Sequence, residues 1–356
     1  MRTPPDRRHS GPMAQTTVIA PRISTRTAAI KLLVSGAAAA ALLALALPRV
    51  AGVPWSQIGG ALAGLSVAQL VLLTVVWLAG LWVHTPALTA ALPGLSHRRA
   101  FLLNLTGSFV SNLLPLGGAA GTVANWRMAR SWGFASTAFA RWAIVTNLFD
   151  VGLKLVLPGI AFGWLAVAGV EATSTVHAAA YVGLALLTVV ALAVWLVARD
   201  DRAAHWLGGR ADRICARVRL LRPTGEGYAA RASAFRRDSA ALVADGWPQM
   251  VFGKAAYAAL QAVLLWLSLR MLGADVDPGV VLAAYAVERI LSIAVITPGA
   301  TGVVEVGVTG VLVALGVAAT PAAAGVLLYR AFTFGMEIPV GGLSLLAWSL
   351  RRAEAA

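Results

Sequence analysis

Four charged side chains lie inside long apolar stretches of this sequence, where a charge needs either a partner or a ligand. Asp150 and Lys154 lie near the middle of one stretch, and Arg330 and Glu337 lie in another. If these stretches cross a membrane, each charge at the bilayer centre costs about 2.5–3.5 kcal/mol. We therefore expect all four side chains to face the protein interior, where they form either a structural ion-pair network or the binding site of a charged group.

Spacing along a helix predicts which charges share a face. Asp150 and Lys154 are four residues apart, so they share a face and can pair. The two charges of the second stretch are seven residues apart, which is nearly two helical turns, so they share a face as well. The adjacent residues Glu288 and Arg289 point apart, and we do not expect them to pair with each other. Lys154 and Arg330 are the expected contacts for a phosphate group.

The segment Ala294–Glu305 interrupts one of the most apolar parts of the chain with Pro298, Gly299 and Gly302. Proline stops an incoming helix, and glycine lets the backbone turn with a positive φ angle. Broken helices at membrane depth are tolerated only where the freed backbone is buried in protein or lines a wet cavity. Glu305 follows in the first turn of the next helix, where a carboxylate can cap free N–H groups. We therefore predict a re-entrant turn with Glu305 as its cap and as a candidate site residue.

The composition is typical of membrane proteins. Of the 356 residues, 59% are hydrophobic and 12% are charged, whereas a soluble domain has about 45–50% apolar and about 25% charged residues. The net charge of +14 would favour nucleic acid in a soluble protein, but here the arginines flank apolar runs, in accord with the positive-inside rule. We therefore expect no nucleic-acid partner. The single cysteine and the five scattered histidines indicate no metal site, and no motif indicates a cofactor.

Apolar runs of about 20 residues, the length that crosses a bilayer, predict an all-α polytopic membrane protein with about six full spans. The predicted spans are residues 30–47, 66–84, 136–163, 178–197, 249–270 and 321–350. Residues 1–29 are predicted to form a disordered basic tail, and residues 30–350 the transmembrane domain, whose first span is either an uncleaved anchor or a cleaved signal. The polar segment 198–247 holds ten arginines and six acidic residues, so this segment and both termini are predicted to face the cytoplasm.

Two further apolar regions, residues 100–132 and 280–315, each start and end on one side of the membrane, as judged by their flanking charges. The first is interrupted at Pro115, Gly118 and Gly121, and the second at the break described above. Their return arms have 11 and 13 residues, or about 16 and 20 Å of helix, which is shorter than roughly 30 Å of hydrocarbon. We predict two re-entrant helical hairpins, with paired short spans as the alternative. The glycines either expose helix N-termini to an anion or allow close helix packing.

The two interrupted regions belong to an internal repeat. Gly118, Gly121 and Gly133 match Gly299, Gly302 and Gly316, with an offset of 181 residues that becomes 183 after a two-residue insertion. At the second offset Lys154 corresponds to Glu337, so the repeat places opposite charges at equivalent positions. Each copy, about residues 60–165 and 248–350, has the order span, hairpin, span, and one extra span between them reverses the second copy. The sequence therefore predicts an inverted-topology repeat, as in many secondary transporters.

Three stretches of the chain resemble a known family. They are Asn112–Gly121, Pro298–Glu305 and Leu327–Arg330, and they are similar to the transmembrane, flippase-like domain of lysylphosphatidylglycerol synthases. The resemblance covers about residues 30–350. In the first half the family often has Gly-Glu followed by an arginine, whereas here Gly121 is followed by Thr122, and Arg127 is the candidate for the arginine position.

The resemblance implies translocation of an anionic or polyprenyl-linked lipid between the leaflets of the cell membrane. The chain ends six residues after its last apolar segment, so we do not expect the aminoacyltransferase domain of the synthases, and we expect no enzymatic activity. Two other interpretations stay open. One is a non-catalytic membrane subunit that works with a lipid- or glycan-modifying enzyme, and the other is an ion-coupled small-solute transporter.

The predicted orientation can be tested at the single cysteine. If the segment 198–247 faces the cytoplasm, a membrane-impermeant thiol reagent added to intact cells will leave Cys215 unlabelled. Labelling after the cells are opened is the control for the reactivity of the thiol. Rapid labelling in intact cells would contradict both the orientation and the inverted repeat that depends on it.

Overall fold

The computed structural model describes residues 25–114, 117–167, 228–292 and 297–354, together with the isolated positions 185 and 188. These residues form helices joined by turns and contain no β-strand. The helices of the first half are α1 (Thr25–Ala41), a π-helical segment (Leu42–Ala46), α2 (Leu47–Ala51), α3 (Trp55–Ala63), α4 (Val67–Val83), α5 (Thr85–Ala91), α6 (His97–Leu113), α7 (Gly117–Ser131) and α8 (Ser136–Val167). Those of the second half are α9 (Tyr228–Met271), α10 (Pro278–Leu291), a 3₁₀ turn (Pro298–Ala300), α11 (Val303–Ala314), α12 (Ala319–Arg330), a second π-helical segment (Ala331–Met336) and α13 (Glu337–Glu354).

Five of the described helical segments are long and apolar enough to cross a membrane. They are Leu33–Ala51, Val67–Ala91, Ser136–Leu165, Ser233–Met271 and Ala319–Arg352. Each overlaps one predicted span, which confirms an all-α polytopic membrane protein. The predicted span 178–197 lies outside the described residues apart from its two isolated positions.

The helices extend further than the sequence predicts at two places. Residues 25–29 already belong to α1, so the prediction of a disordered tail was wrong for these positions, and residues 1–24 lie outside the described part. Residues 228–247 of the predicted polar segment are helical and continue into the apolar part of α9. Helical propensity therefore extends the N-terminal ends of α1 and α9 beyond the apolar runs that hydropathy marks.

The two interrupted regions form pairs of short helices. The arms α6 and α7 have 17 and 15 residues, and α10 and α11 have 14 and 12 residues. At 1.5 Å per residue these arms are about 18–26 Å long, which is less than the roughly 30 Å of a hydrocarbon core. The lengths match the predicted re-entrant hairpins, although α7 begins at Gly117 rather than at the predicted Thr122.

Local features at the ends of the hairpins follow the predicted repeat. Ser96 caps the N-terminus of α6 by accepting a hydrogen bond from the backbone of Arg99, and Asp277 caps α10 in the same way. After the return arms, Gly133 and Gly316 have φ angles of 91° and 87°, values that glycine adopts without strain. The offset between the repeat copies aligns these two glycines, and their similar φ angles support the repeat.

The incoming arms of the hairpins are exchanged between the two halves of the repeat. The incoming arm of the first hairpin, α6, packs along α13 of the second half, and α10 of the second hairpin packs along α8 of the first half. The first contact is close at Gly341, where an added Cβ would lie 2.3 Å from the carbonyl oxygen of Leu105. Each half therefore depends on the other for burial of its hairpin.

We expect Gly341→Ala to destabilise the protein, because the added methyl group would force α6 and α13 apart. Overpacking of this kind typically costs about 1–3 kcal/mol. The measurement is the melting temperature of the purified protein in detergent. Gly152→Ala is the matched control, since an added Cβ in that part of α8 meets no atom within 4 Å. Equal losses in both variants would contradict the exchanged packing.

Candidate functional site

The tip of the second hairpin is built by glycines with left-handed backbone angles. Gly299 has a φ of 57° and Gly302 a φ of 86°, as the sequence predicts, and Ala300 between them has a φ of 55°. An added Cβ on Gly302 would lie 2.6 Å from the Cβ of Leu42. The prediction that Pro298 stops the incoming helix was wrong. Helix α10 already ends at Leu291, and Pro298 begins the 3₁₀ turn.

Glu305 caps the return helix of this hairpin. One oxygen of its carboxylate accepts a hydrogen bond from the backbone N–H of Gly302, where free N–H groups and the helix dipole both favour negative charge. The side chain is buried, so the carboxylate also needs a cation. The predicted capping role of Glu305 agrees with this geometry.

Arg330 supplies that cation and joins the hairpin tip to the last span. Its Nε atom donates to Oε1 of Glu305 at 2.8 Å, and Nη2 donates to the carbonyl oxygen of Gly299 at 2.7 Å. Nη1 lies 3.9 Å from an oxygen of Glu288, and the guanidinium lies 5.2 Å from the ring centre of Phe334. Arg330 is therefore engaged by protein groups on several sides, which leaves Lys154 as the better candidate for a phosphate contact.

Glu288 and Arg289 pair with each other, so the expectation that these neighbours point apart was wrong. Nη2 of Arg289 donates to Oε1 of Glu288 at 2.6 Å, and Nε donates to the second carboxylate oxygen. Glu288 is almost fully buried, and burial without a nearby cation is costly for a carboxylate. Long arginine side chains can fold back along a helix, so adjacency did not prevent the contact.

Asp150 pairs with Lys254 of α9 rather than with Lys154, so the predicted partner was wrong. The Nζ atom of Lys254 donates to Oδ1 of Asp150 at 2.6 Å. Lys254 is 3% exposed, so it needs a counter-ion more than the partly exposed Lys154 does. Among the described residues, no carboxylate lies within ion-pair distance of Lys154, although Asp150 and Glu288 attract it at longer range.

Glu337 and Arg330, which their spacing predicts to share a helical face, have different partners in the described part of the chain. The π-helical segment Ala331–Met336 separates them, and its wider i→i+5 turns change the angle between two residues seven apart. Glu337 instead accepts a hydrogen bond from Nδ2 of Asn112 at 3.2 Å and contacts the hydroxyl of Ser108. Both partners belong to α6, so Glu337 connects the last span to the first hairpin.

The two hairpin tips meet beside this contact. The Oδ1 atom of Asn112 lies 3.4 Å from the position of a Cβ built on Gly299, and the ring of Phe334 is closer still. The described ends of the two hairpins therefore approach each other next to Glu337. Arg330 contacts the second tip at Gly299. The second break and the buried charges Glu305, Arg330 and Glu337 are therefore close together.

Of the two predicted glycines of the first hairpin, only Gly121 allows close packing. An added Cβ on Gly121 would lie 2.4 Å from Oγ of Ser111 and 2.7 Å from the carbonyl oxygen of Gly107, whereas Gly118 faces open space. Both lie inside α7, and neither has a positive φ. Small residues let two helix backbones approach in this way. The alternative of close packing therefore applies to Gly121, while Pro115 lies outside the described residues.

One predicted site residue lies outside the site, and two residues of the site were not predicted. Arg127 is exposed on α7 and contacts none of the charges described above. Lys254 and Asn112 were missed. Lys254 is a lone cation in an apolar span, which is a signal for a buried pair, and Asn112 opens the first family-like motif.

Broken helices that meet around buried charges define a polytopic membrane protein with an internal polar site. Residues 28–341 match the family model described as the lysylphosphatidylglycerol synthase TM region. The chain belongs to this family, as the motifs around both breaks predicted. A comparison with curated proteins found no match.

We expect Arg330→Met to destabilise the protein strongly, because it leaves Glu305 buried without its cation. Breaking a buried pair typically costs about 3–5 kcal/mol. The added change Glu305→Gln should restore part of the stability, since the amide oxygen can still cap Gly302. The melting temperatures of both single variants and the double variant give the coupling.

The control for this cycle is the exposed pair of Arg270 and Asp275, where neutralisation should change the melting temperature little. Strictly additive losses from Arg330→Met and Glu305→Gln would show that the two side chains do not stabilise each other.

Proposed function

We propose that this protein moves a lipid with an anionic headgroup, either a phospholipid or a polyprenyl-linked lipid, between the leaflets of the cell membrane. The observation that carries the proposal is Lys154, a partly exposed cation near the middle of α8 without an ion-pair partner among the described residues. The other cations near it are already paired with carboxylates. Lys154 is therefore the side chain most available to a phosphate group.

The depth of Lys154 supports this assignment. It lies 11 residues from the end of the span Ser136–Leu165, which corresponds to about 17 Å of helix. Its neighbour Asp150 has a side chain that is 44% exposed, whereas Ile144 and Ile160 cover other parts of the helix surface with apolar groups. Charged groups at this depth are stable only on a polar or water-filled surface, and a headgroup crossing the membrane needs such a surface.

The alternatives differ in what occupies this surface. A non-catalytic subunit would support a lipid- or glycan-modifying enzyme without moving lipid itself, and an ion-coupled transporter would carry a small solute. We favour lipid because the family is described by a lipid-synthesising enzyme whose transmembrane region this chain matches. The proposed activity is transport without covalent chemistry, with both termini in the cytoplasm.

Reconstitution into proteoliposomes tests the proposal. With a trace of labelled phosphatidylglycerol or polyprenyl phosphate and leaflet-resolved quenching, the wild-type protein should speed the exchange of label between leaflets. Lys154→Met should slow this exchange about tenfold or more, because a hydrogen bond to a charged group contributes about 1.5–3 kcal/mol. Lys154→Arg should keep part of the activity, since it preserves the charge.

Arg270→Met is the matched control, because it also removes a cation but at an exposed position away from the buried charges. Its exchange rate should equal that of the wild type. If the wild-type protein exchanges neither lipid faster than empty vesicles do, lipid translocation by this chain alone is wrong, and the subunit or small-solute interpretation takes its place.

A further inference from the structure

Glu337 differs from the other carboxylates described inside the membrane segments in the chemistry of its partners. The others each contact a cation: Asp150 contacts Lys254, Glu288 contacts Arg289, and Glu305 contacts Arg330. Protonated lysine and arginine only donate hydrogen bonds, so they favour a charged carboxylate. In the part of the chain that the structure describes, Glu337 has no cation at ion-pair distance.

The partners of Glu337 suit both of its protonation states. The amide of Asn112 donates from Nδ2 to the carboxylate at 3.2 Å, and Ser108 presents a hydroxyl. An amide that turns over offers an oxygen in place of the NH₂ group, and a hydroxyl can either donate or accept. These groups can therefore satisfy a carboxylate as donors and a carboxylic acid as acceptors, so a change of protonation leaves no hydrogen bond unmade.

The charged and titratable groups that act on Glu337 from the surrounding helices are Arg330, Arg289 and Tyr257. Both arginines are engaged by other carboxylates, and the hydroxyl of Tyr257 accepts a hydrogen bond from Gln261. Their positive field favours the charged form of Glu337, while burial at 5% exposure opposes it. A further anion near the arginines would weaken that field and favour the protonated form.

Glu337 lies where both hairpins meet, so its protonation state acts on both of them. It is the first residue of α13, it contacts Asn112 at the end of α6, and Asn112 lies beside Gly299 at the second tip. Arg289 acts on Glu337 and also on Lys154, the proposed headgroup contact. Arg289 therefore lies between Glu337 and the proposed headgroup position, close enough to act on both.

We propose that Glu337 is a proton-binding site and that one proton travels with each anionic lipid, an inference that rests on the proposed function. The charged side chains described above number four cations and four carboxylates, so the formal charge of this set is zero; they are Lys154, Lys254, Arg289, Arg330, Asp150, Glu288, Glu305 and Glu337. A proton taken from water onto Glu337 gives this set a charge of +1, and the single negative charge of a phosphodiester headgroup restores neutrality. On the opposite side both leave, and the carboxylate is restored.

The experiment imposes a pH gradient on proteoliposomes that contain a trace of labelled phosphatidylglycerol. With one proton per lipid, each pH unit supplies about 1.4 kcal/mol, enough for an approximately tenfold leaflet ratio of the label in the direction of proton flow. A pH dye in the lumen should record proton movement with the lipid. Glu337→Gln keeps a hydrogen-bonding group but cannot titrate, so the label should equilibrate without responding to the gradient.

Asp238→Asn is the matched control, because Asp238 lies in an exposed pair with Arg141, and this variant should keep the full response. A wild-type protein that exchanges lipid but ignores the pH gradient would overturn proton coupling and leave the proposed function intact. A response to a sodium gradient at constant pH would overturn it in favour of a sodium ion. If Glu337→Gln does not fold, the pH dye still decides, since lipid exchange in the wild type without proton movement overturns the proposal.

Discussion

The fold depends on the contacts of one arginine with a broken backbone. A hairpin that stops within a membrane exposes N–H and C=O groups that lipid cannot satisfy. Arg330 bonds the carbonyl oxygen of Gly299 and the carboxylate of Glu305, and Glu305 in turn bonds the N–H of Gly302. The side chains of Arg330 and Glu305 therefore satisfy a backbone acceptor and a backbone donor of the tip, and they also neutralise each other's charge. These contacts join the tip of the second hairpin to the last span, beside the end of the first hairpin.

Much of this architecture follows from the sequence because the signals are local. Apolar runs set the spans, and the Pro-Gly-rich segments set the breaks. The positive φ angles of Gly299 and Gly302 and the cap of Glu305 involve residues within a few positions of each other. The offset of 183 residues also aligned Gly133 with Gly316, which share one backbone conformation. Chain spacing alone carries this information, so no knowledge of the packing was needed.

The pairing of charges could not be predicted in the same way. Spacing on a single helix placed Lys154 beside Asp150, but the true partner, Lys254, comes from a helix about a hundred residues away, and its rotation depends on the whole packing. The spacing of Arg330 and Glu337 did not reveal their partners, because a π-helical segment lies between them and the sequence gives no clear signal for it. Long-range ion pairs and the rotation of each helix depend on the three-dimensional packing, which spacing along the chain does not reveal.

The π-helical segment Ala331–Met336 sets the direction that Glu337 faces relative to Arg330. A π turn holds its residues in i→i+5 hydrogen bonds, and each residue that it passes while shifting along a helix rotates by about 100°. A shift of one position toward the C-terminus would turn Glu337 away from Asn112 while Arg330 stayed fixed to the second hairpin. Glu337 would then face another direction while both ends of the last span kept their positions.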